Sequence, residues 1–94
     1  MDHTMEAAIR HLQAVETLAK NGQIAWKALA VPRPGAMRAF EGRSGPYLLL
    51  VTQSNIVGMG VQCMGMLTVN QTLAIKLTSP FADSIYHLAA ATQN

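Results

Sequence analysis

Residues 67–77 alternate between apolar and polar positions, and this alternation constrains the fold more than any other feature of the chain. The odd positions, Gln71 excepted, carry large apolar residues: Leu67, Val69, Leu73, Ile75 and Leu77. The even positions carry Thr68, Asn70, Thr72, Ala74 and Lys76. A period of two predicts β-strand with one buried face, because successive side chains of a strand point to opposite sides. Within this stretch, Asn70-Gln71 either forms a turn or lies inside one long strand.

The alternation belongs to a longer β-rich segment, residues 47–78. Ten of its residues are Val, Ile or Thr, and it contains no Glu. Residues 47–52 and 56–62 are predicted to be two strands joined near 53–55. Its glycines disfavour helix and indicate a bulge or a close approach of backbones; they are Gly58, Gly60 and Gly65.

Helical periodicity flanks this segment on both sides. Residues about 4–20 place an apolar stripe at steps of three and four: Met5, Ile9, Leu12, Val15, and Leu18 or Ala19. Asn21-Gly22 then provides a helix stop. Residues about 80–92 form the second predicted helix, with Ser79 as the cap and Pro80 at the first helical position.

The segments between the first helix and residue 47 are less regular. Residues 23–31 fit a strand with Ile24 and Trp26 facing inward, and they also fit a further helical stretch; the strand is preferred. Residues 32–46 are predicted to be a loop, because they begin and end with turn-forming Pro and Gly residues. Residues 36–41 within this loop are expected to form a short helical turn that buries Phe40.

These elements predict one α+β domain spanning residues 1–94. A small antiparallel sheet of three to four strands, about 47–78, is flanked by an N-terminal helix, about 4–20, and a C-terminal helix, about 80–92. The competing interpretation makes residues 47–77 one long buried helix in a helical assembly protein, and the alternation at 67–77 opposes it.

Charged residues are few and unevenly distributed. They make up 13% of the chain, against about 25% in typical soluble domains. Residues 44–94 carry only Lys76 and Asp83. So few charges on a small protein indicate that an apolar face is left for a partner, and we interpret this as homo-oligomerisation. The alternative is that Thr, Gln, Asn and Ser residues solvate the surface.

Residues with catalytic or metal-binding potential form no recognisable motif. His3, His11 and His87 lack metal-ligand spacing, and Cys63 lies in an apolar setting typical of a buried, inert thiol. The five carboxylates show no paired arrangement. No metal or cofactor is therefore predicted, and the sequence favours a non-enzymatic protein. The clustered methionines suit either an adaptable contact surface or a core; they are Met59, Met64 and Met66.

Three arginines recur in the predicted loop and could bind an acidic partner if they converge: Arg33, Arg38 and Arg43. The net charge of +2 disfavours nucleic acid, and Phe40, the aromatic residue among these arginines, is expected to be buried and not available for base stacking. A solvated, mobile loop is the alternative for this segment.

The leading functional hypothesis is a small interaction module that self-associates and presents this basic Pro/Gly loop to a partner macromolecule, a protein in the first instance. The second hypothesis is a small-molecule binder or small enzyme with a pocket at a subunit interface. Such a pocket would use Tyr47, Tyr86, His87 or the arginines. The chain has no run of 18 apolar residues and no signal-peptide pattern at its start, so the expected location is cytoplasmic without a membrane span.

Overall fold

The fold is an antiparallel sheet with a helix at each end of the chain, as a computed structural model describes it for residues 3–30 and 36–92. The elements, in chain order, are α1 (His3–Lys20), β1 (Ala25–Leu29), β2 (Ala36–Ser44), β3 (Tyr47–Ile56), β4 (Gly60–Val69), β5 (Leu73–Lys76) and α2 (Ser79–Thr92). The strands lie in the order β1-β2-β3-β4-β5, so each pairs with its neighbour in sequence. The predicted α+β class is confirmed, with five strands rather than three or four.

Both helices pack on the same side of the sheet, which we call the helix face. Alternate strand residues form the floor of the core there, together with side chains from both helices. This core includes Val15, Ala19, Phe40, Leu49, Val51, Leu67, Val69, Ile85 and Ala89. The opposite side of the sheet, which we call the open face, carries the intervening residues.

α1 buries only part of its predicted apolar stripe. Val15 and Ala19 are buried, whereas Met5 and Ile9 are largely exposed. The helix ends where it was predicted to end, because Gly22 adopts a positive φ of 70° and the Gln23 amide donates to the Leu18 carbonyl at 2.8 Å.

α2 begins one residue earlier than its predicted cap suggests. The Ala82 amide donates to the Thr78 carbonyl at 2.8 Å, so Thr78 occupies the cap position and Ser79 lies in the first turn. Pro80 remains in that turn, where a missing amide hydrogen costs no helical hydrogen bond. The apolar side of α2 then packs on the sheet through Ala82, Ile85 and Ala89.

The prediction of a loop over residues 32–46 is wrong for most of its length. Residues 36–44 form β2, which pairs with β1 on one side and β3 on the other. The predicted helical turn at 36–41 is therefore also wrong, although Phe40 is fully buried as expected. The strand was missed because Pro and Gly residues flank it. One position on its buried side is Gly42, which lies beneath the Trp26 ring and adds no apolar side chain to the pattern. Residues 32–35 lie outside the described residues.

The turns of the sheet lie where residues adopt positive φ. β3 continues through residues 53–55, so the join predicted there is wrong. The turn lies instead at 57–59, flanked by Gly58 and Gly60 with φ of 82° and 80°. Between β4 and β5, Asn70 and Gln71 adopt φ of 52° and 64°, which decides in favour of a turn at that position.

Two open questions of the sequence are settled by the strands. Within residues 23–31, the strand interpretation is confirmed over β1 (Ala25–Leu29), with Ile24 just before it buried and Trp26 half-buried. The interpretation of residues 47–77 as one long helix is wrong, since β3, β4 and β5 occupy this segment. Among the described residues, no helix is both long and apolar enough to cross a membrane.

Candidate functional site

The open face is organised by a row of residues that crosses all five strands. The strand register aligns Lys27 with Glu41, Glu41 with Leu50, Leu50 with Met66, and Met66 with Lys76. Side chains opposite one another in such a row lie in contact distance, so the row is one continuous surface feature. We call it the central row.

The middle of the open face is apolar and uncovered. Leu50, Met64 and Met66 are 45%, 44% and 46% exposed, whereas their neighbours Leu49 and Leu67 are 1% and 0% exposed. A shallow cleft of about 590 Å³ lies along this surface between Leu29 and Lys76, with the hydroxyls of Thr52 and Ser54 at its border. Exposed apolar surface of this kind in the centre of a sheet is typical of a contact surface.

The charged groups of the open face lie toward its two sides. Glu41 forms an ion pair of 3.4 Å with Arg43, its neighbour along β2. Lys76 lies on β5, at the other side of the apolar centre, and among the described residues no carboxylate lies within ion-pair distance of its ammonium group. The face thus combines an acid–base pair on β2 with an unpaired cation on β5.

The far end of the β3–β4 hairpin carries further exposed apolar side chains. Val57 is fully exposed, and Met59 and Val61 are more than half exposed. Val57 and Met59 lie in the turn, whereas Val61 has the strand parity of Cys63 and therefore lies on the helix-face side of β4. The methionine cluster noted in the sequence is therefore a surface, not a core.

A polar network on the helix face links α2 to β3 and β4. The Cys63 thiol donates to the Asp83 carboxylate at 3.5 Å, and the Tyr86 hydroxyl donates to the Gln53 amide oxygen at 3.2 Å. The His87 Nδ1 donates to the Asp83 backbone carbonyl at 2.8 Å. These bonds hold α2 in a fixed position over the hairpin.

The thiol in this network is unsuited to nucleophilic chemistry. Burial, together with the hydrogen bond and negative charge of Asp83, raises the pKa of Cys63 from about 9 to about 11. The thiolate is the reactive form of cysteine, so at neutral pH Cys63 remains protonated and inert. The prediction that Cys63 is buried is confirmed, and its raised pKa agrees with the expected low reactivity.

The structure does not bring the predicted site residues together. Arg38 stacks over the Phe40 ring at 4.9 Å on the helix face, whereas Arg43 lies on the open face. Tyr47 shares a hydrogen bond of 3.0 Å with His11 of α1, at a distance along β3 from the Tyr86 network. Arg33 lies outside the described residues. As an assignment of binding residues, this set stays a prediction.

The exposed His87 lies beside a second depression, of about 510 Å³, between the end of α1 and α2. Lys20, Asp83, Ser84, His87 and Leu88 line it. It is wide open to solvent, the His87 Nδ1 lies 3.6 Å from the Asp83 carboxylate, and Lys20 already pairs with Glu16. The open face is therefore the stronger candidate for a functional surface.

Sequence reasoning missed the residues that define the open face, although a signal for them exists. Residues 48–51 read Leu-Leu-Leu-Val, so both faces of β3 are apolar. An uninterrupted apolar run in a strand is typical of burial on both faces. Only one layer of helices is present among the described elements, so one of these apolar faces remains uncovered.

Comparisons of the chain with protein-family models, with curated proteins and with solved structures find no match. The functional argument therefore rests on the chemistry of the two faces. The helix face offers an internal polar network with an inert thiol, and the open face offers an apolar surface bordered by charges.

Proposed function

We propose that this protein is a small, non-enzymatic interaction module that self-associates through its open face. The observation that carries the proposal is the contrast within β3 and β4, where Leu50 and Met66 are about half exposed while Leu49 and Leu67 are buried. A second copy of the chain is the occupant with a matching surface, because an apolar face is complementary to its own copy.

The gain from covering this face supports weak, reversible association. Each of the half-exposed side chains, Leu50, Met64 and Met66, would contribute about 1 kcal/mol when the rest of its apolar surface is removed from water. Two copies contribute twice that amount. The translational and rotational entropy lost on association costs about as much as these three side chains contribute, so the rest of the covered face must contribute too, and we expect a dimer of micromolar affinity at best.

The non-enzymatic part of the proposal is supported by the helix-face network. Its nucleophile candidate, Cys63, has a raised pKa, and its histidine, His87, donates Nδ1 to a backbone carbonyl of its own helix. The hydrogen bonds from Cys63 to Asp83 and from Tyr86 to Gln53 connect α2 to the sheet, which is a structural role.

We do not propose that the protein presents a basic loop to a partner macromolecule, as the sequence had suggested. Residues 36–44 form a strand, and Arg38 and Arg43 lie on opposite faces of it. Arg43 instead borders the open face, where it pairs with Glu41.

The test is the solution mass at two concentrations, measured by size-exclusion chromatography with light scattering. We expect a mass of about twice 10.1 kDa at high micromolar concentration and a shift toward the monomer on dilution. Met66→Glu should give a monomer at both concentrations, because it places a charge in the centre of the apolar face. Met5→Glu, the same change on exposed α1 surface, is the matched control and should leave the mass unchanged. A wild-type monomer at high micromolar concentration would contradict the proposal.

A second candidate function follows from the cleft on the same face. Its volume of about 590 Å³ and its apolar lining suit a small apolar ligand, with Thr52 and Ser54 as polar contacts. A fluorescent hydrophobic dye separates the two functions. A ligand-binding monomer should bind the dye strongly in the wild type, whereas a dimer that covers the face should bind it only after dilution.

The proposed site of action is the cytoplasm. The unpaired and buried Cys63 fits a reducing compartment, in which thiols need no partner. Fractionation of cells that produce the protein tests this, and recovery with the membrane or secreted fraction would count against it.

A further inference from the structure

We propose that two copies stack open face to open face about a two-fold axis that runs parallel to the strands, between β3 and β4, so that Glu41 of each copy pairs with Lys76 of the other. This inference rests on the proposed self-association and specifies its geometry. It follows from the order of residues in the central row, where Glu41, Leu50, Met66 and Lys76 lie on successive strands.

The central row is complementary in charge and hydrophobicity to the central row of a second copy that runs in the opposite direction. Read from β2 to β5, it presents an acid, two apolar side chains and a base. A two-fold rotation about an axis between Leu50 and Met66 places β2 of one copy over β5 of the other. Each acid then faces a base, and each apolar residue faces an apolar residue. This reciprocity is the condition that a two-fold interface must satisfy.

The rows on either side of the central row fit the same axis. Thr52 and Met64 are register partners, and so are Leu48 and Thr68. The rotation places Met64 against Thr52 of the second copy on one side of the central row, and Leu48 against Thr68 of the second copy on the other. In the Leu48 row, the rotation also places Arg43 over Ala74 of the second copy, at the edge of the overlap.

The paired charges can meet across the interface. Stacked sheets lie about 10 Å apart with their strands nearly aligned. Extended Glu41 and Lys76 side chains from opposite sheets span this separation together. The ammonium of Lys76 lacks a carboxylate among the described residues, and the Glu41 carboxylate has only the 3.4 Å contact to Arg43. The dimer therefore supplies the cation of β5 with an anionic partner.

Other two-fold axes fit the face less well. An axis through β3 would place Lys27 over Lys76 of the second copy, which are like charges. An axis perpendicular to the strands, between the central row and Arg43, would pair Glu41 with Arg43 of the second copy. It would also move Met64 beyond the overlap and leave it exposed. Only the axis between β3 and β4 pairs opposite charges and covers the methionines together.

The overlap is large enough for a weak dimer. Two of the overlapping strand pairs contribute about six residues each, and the two that involve β5 contribute four, because β5 is only four residues long. With strands about 4.8 Å apart, the flat overlap is about 330 Å² per copy. The accessible area buried is greater than the flat area because side chains interdigitate, so both copies together bury about 800–1,000 Å², the size of a weak interface.

The experiment is a charge exchange between Glu41 and Lys76, with dissociation constants from sedimentation velocity. Glu41→Lys and Lys76→Glu should each weaken dimerisation by at least about tenfold, because each places like charges opposite one another at both ends of the central row. An equimolar mixture of the two variants should form a heterodimer of nearly wild-type affinity. The double variant, with both charges reversed, should also regain the dimer.

Circular dichroism establishes that each variant is folded, and Lys20→Glu on α1 is the matched charge-reversal control, expected to leave the dissociation constant within about twofold of wild type. A mixture that stays monomeric, or tighter dimerisation of Lys27→Glu, would overturn the proposed axis. If the wild type dimerises and the charge-exchange variants have the same dissociation constant, the proposed axis is wrong and self-association stands. A wild-type monomer would overturn both.

Discussion

The two faces of the sheet are built from the same strands and differ in what covers them. On β3, Leu49 points into the core at 1% exposure and Leu50 points outward at 45%. On β4, Leu67 is fully buried while Met66 is 46% exposed. At the centre of β3 and β4, both sides of the sheet therefore carry large apolar residues, and the helices cover only one of these sides.

This difference shows that a strand with apolar residues on both faces is suited to packing against a layer on each face. The helix face receives α1 and α2, which supply Val15, Ile85 and Ala89 to the core. The open face receives no layer within the described chain and has equally apolar residues at its centre. A second layer from another molecule would complete the pattern, as in a sandwich of two sheets.

The sharpest test compares neighbouring leucines on β3. Leu49→Ala should lower the free energy of unfolding by about 2–5 kcal/mol, because it leaves a cavity in the helix-face core. Leu50→Ala should lower it by less than about 1 kcal/mol in the monomer, since its side chain is already half in water. Urea denaturation at low protein concentration measures both. Equal losses would show that the open face is covered within the monomer.

A second test uses the buried thiol of the helix face. The folded pKa of Cys63, about 11, lies above its ordinary value of about 9, so the folded state holds its proton where the unfolded state has lost it. Stability should therefore fall as pH rises from about 9 to about 11, by at most about 3 kcal/mol. Denaturation midpoints of the wild type and Cys63→Ala across this range isolate the effect. A constant difference between the two proteins would contradict it.

A third test adds a methyl group to Gly65, on the helix-face side of β4. A methyl group on Gly65 would lie 2.8 Å from the Leu50 carbonyl oxygen and 2.8 Å from Leu77 Cδ1. The backbone oxygen cannot move away cheaply, so Gly65→Ala should destabilise the fold by about 1–3 kcal/mol. Met64→Ala, its neighbour on the open face, is the control and should change thermal stability little. An unchanged melting temperature for Gly65→Ala would mean that β3 and Leu77 move away from the added methyl group at little cost.

The smallest effect is expected at the border of the helix face, where α1 meets the sheet. Tyr47→Phe removes the hydrogen bond of 3.0 Å between the hydroxyl and His11 Nδ1. A hydrogen bond of this kind contributes about 0.5–1.5 kcal/mol. A double-mutant cycle with His11→Ala measures the coupling in urea titrations, and a coupling near zero would show that α1 is held by apolar contacts alone.

The sequence predicts the elements with strong periodicity and misses the one that lacks it. The alternation at 67–77 and the stripes of both helices correspond to β4–β5, α1 and α2. β2 was missed because its side chains are small or charged at most positions and Pro and Gly residues flank it. Pairing with β1 and β3 on both sides overrides its weak local preference, and local sequence does not report that tertiary contribution.

The candidate site was predictable only in outline. The shortage of charge in residues 44–94 correctly indicated uncovered apolar surface, and the methionine cluster contained two of its central residues, Met64 and Met66. The central row could not be found in the same way. Glu41, Leu50 and Lys76 are brought together by strand register, and register depends on turn positions that the sequence placed incorrectly at 53–55.

The nearest-neighbour order of the strands has a consequence for folding kinetics. β3, β4 and β5 each follow the strand before them through a short turn, so this part of the sheet can assemble by local steps with little loop entropy to overcome. α1 is different, because its contacts reach across the chain to α2 and to Tyr47. We therefore expect α1 to dock last and to open first. Native-state hydrogen exchange should show its amides exchanging ahead of those in β3 and β4.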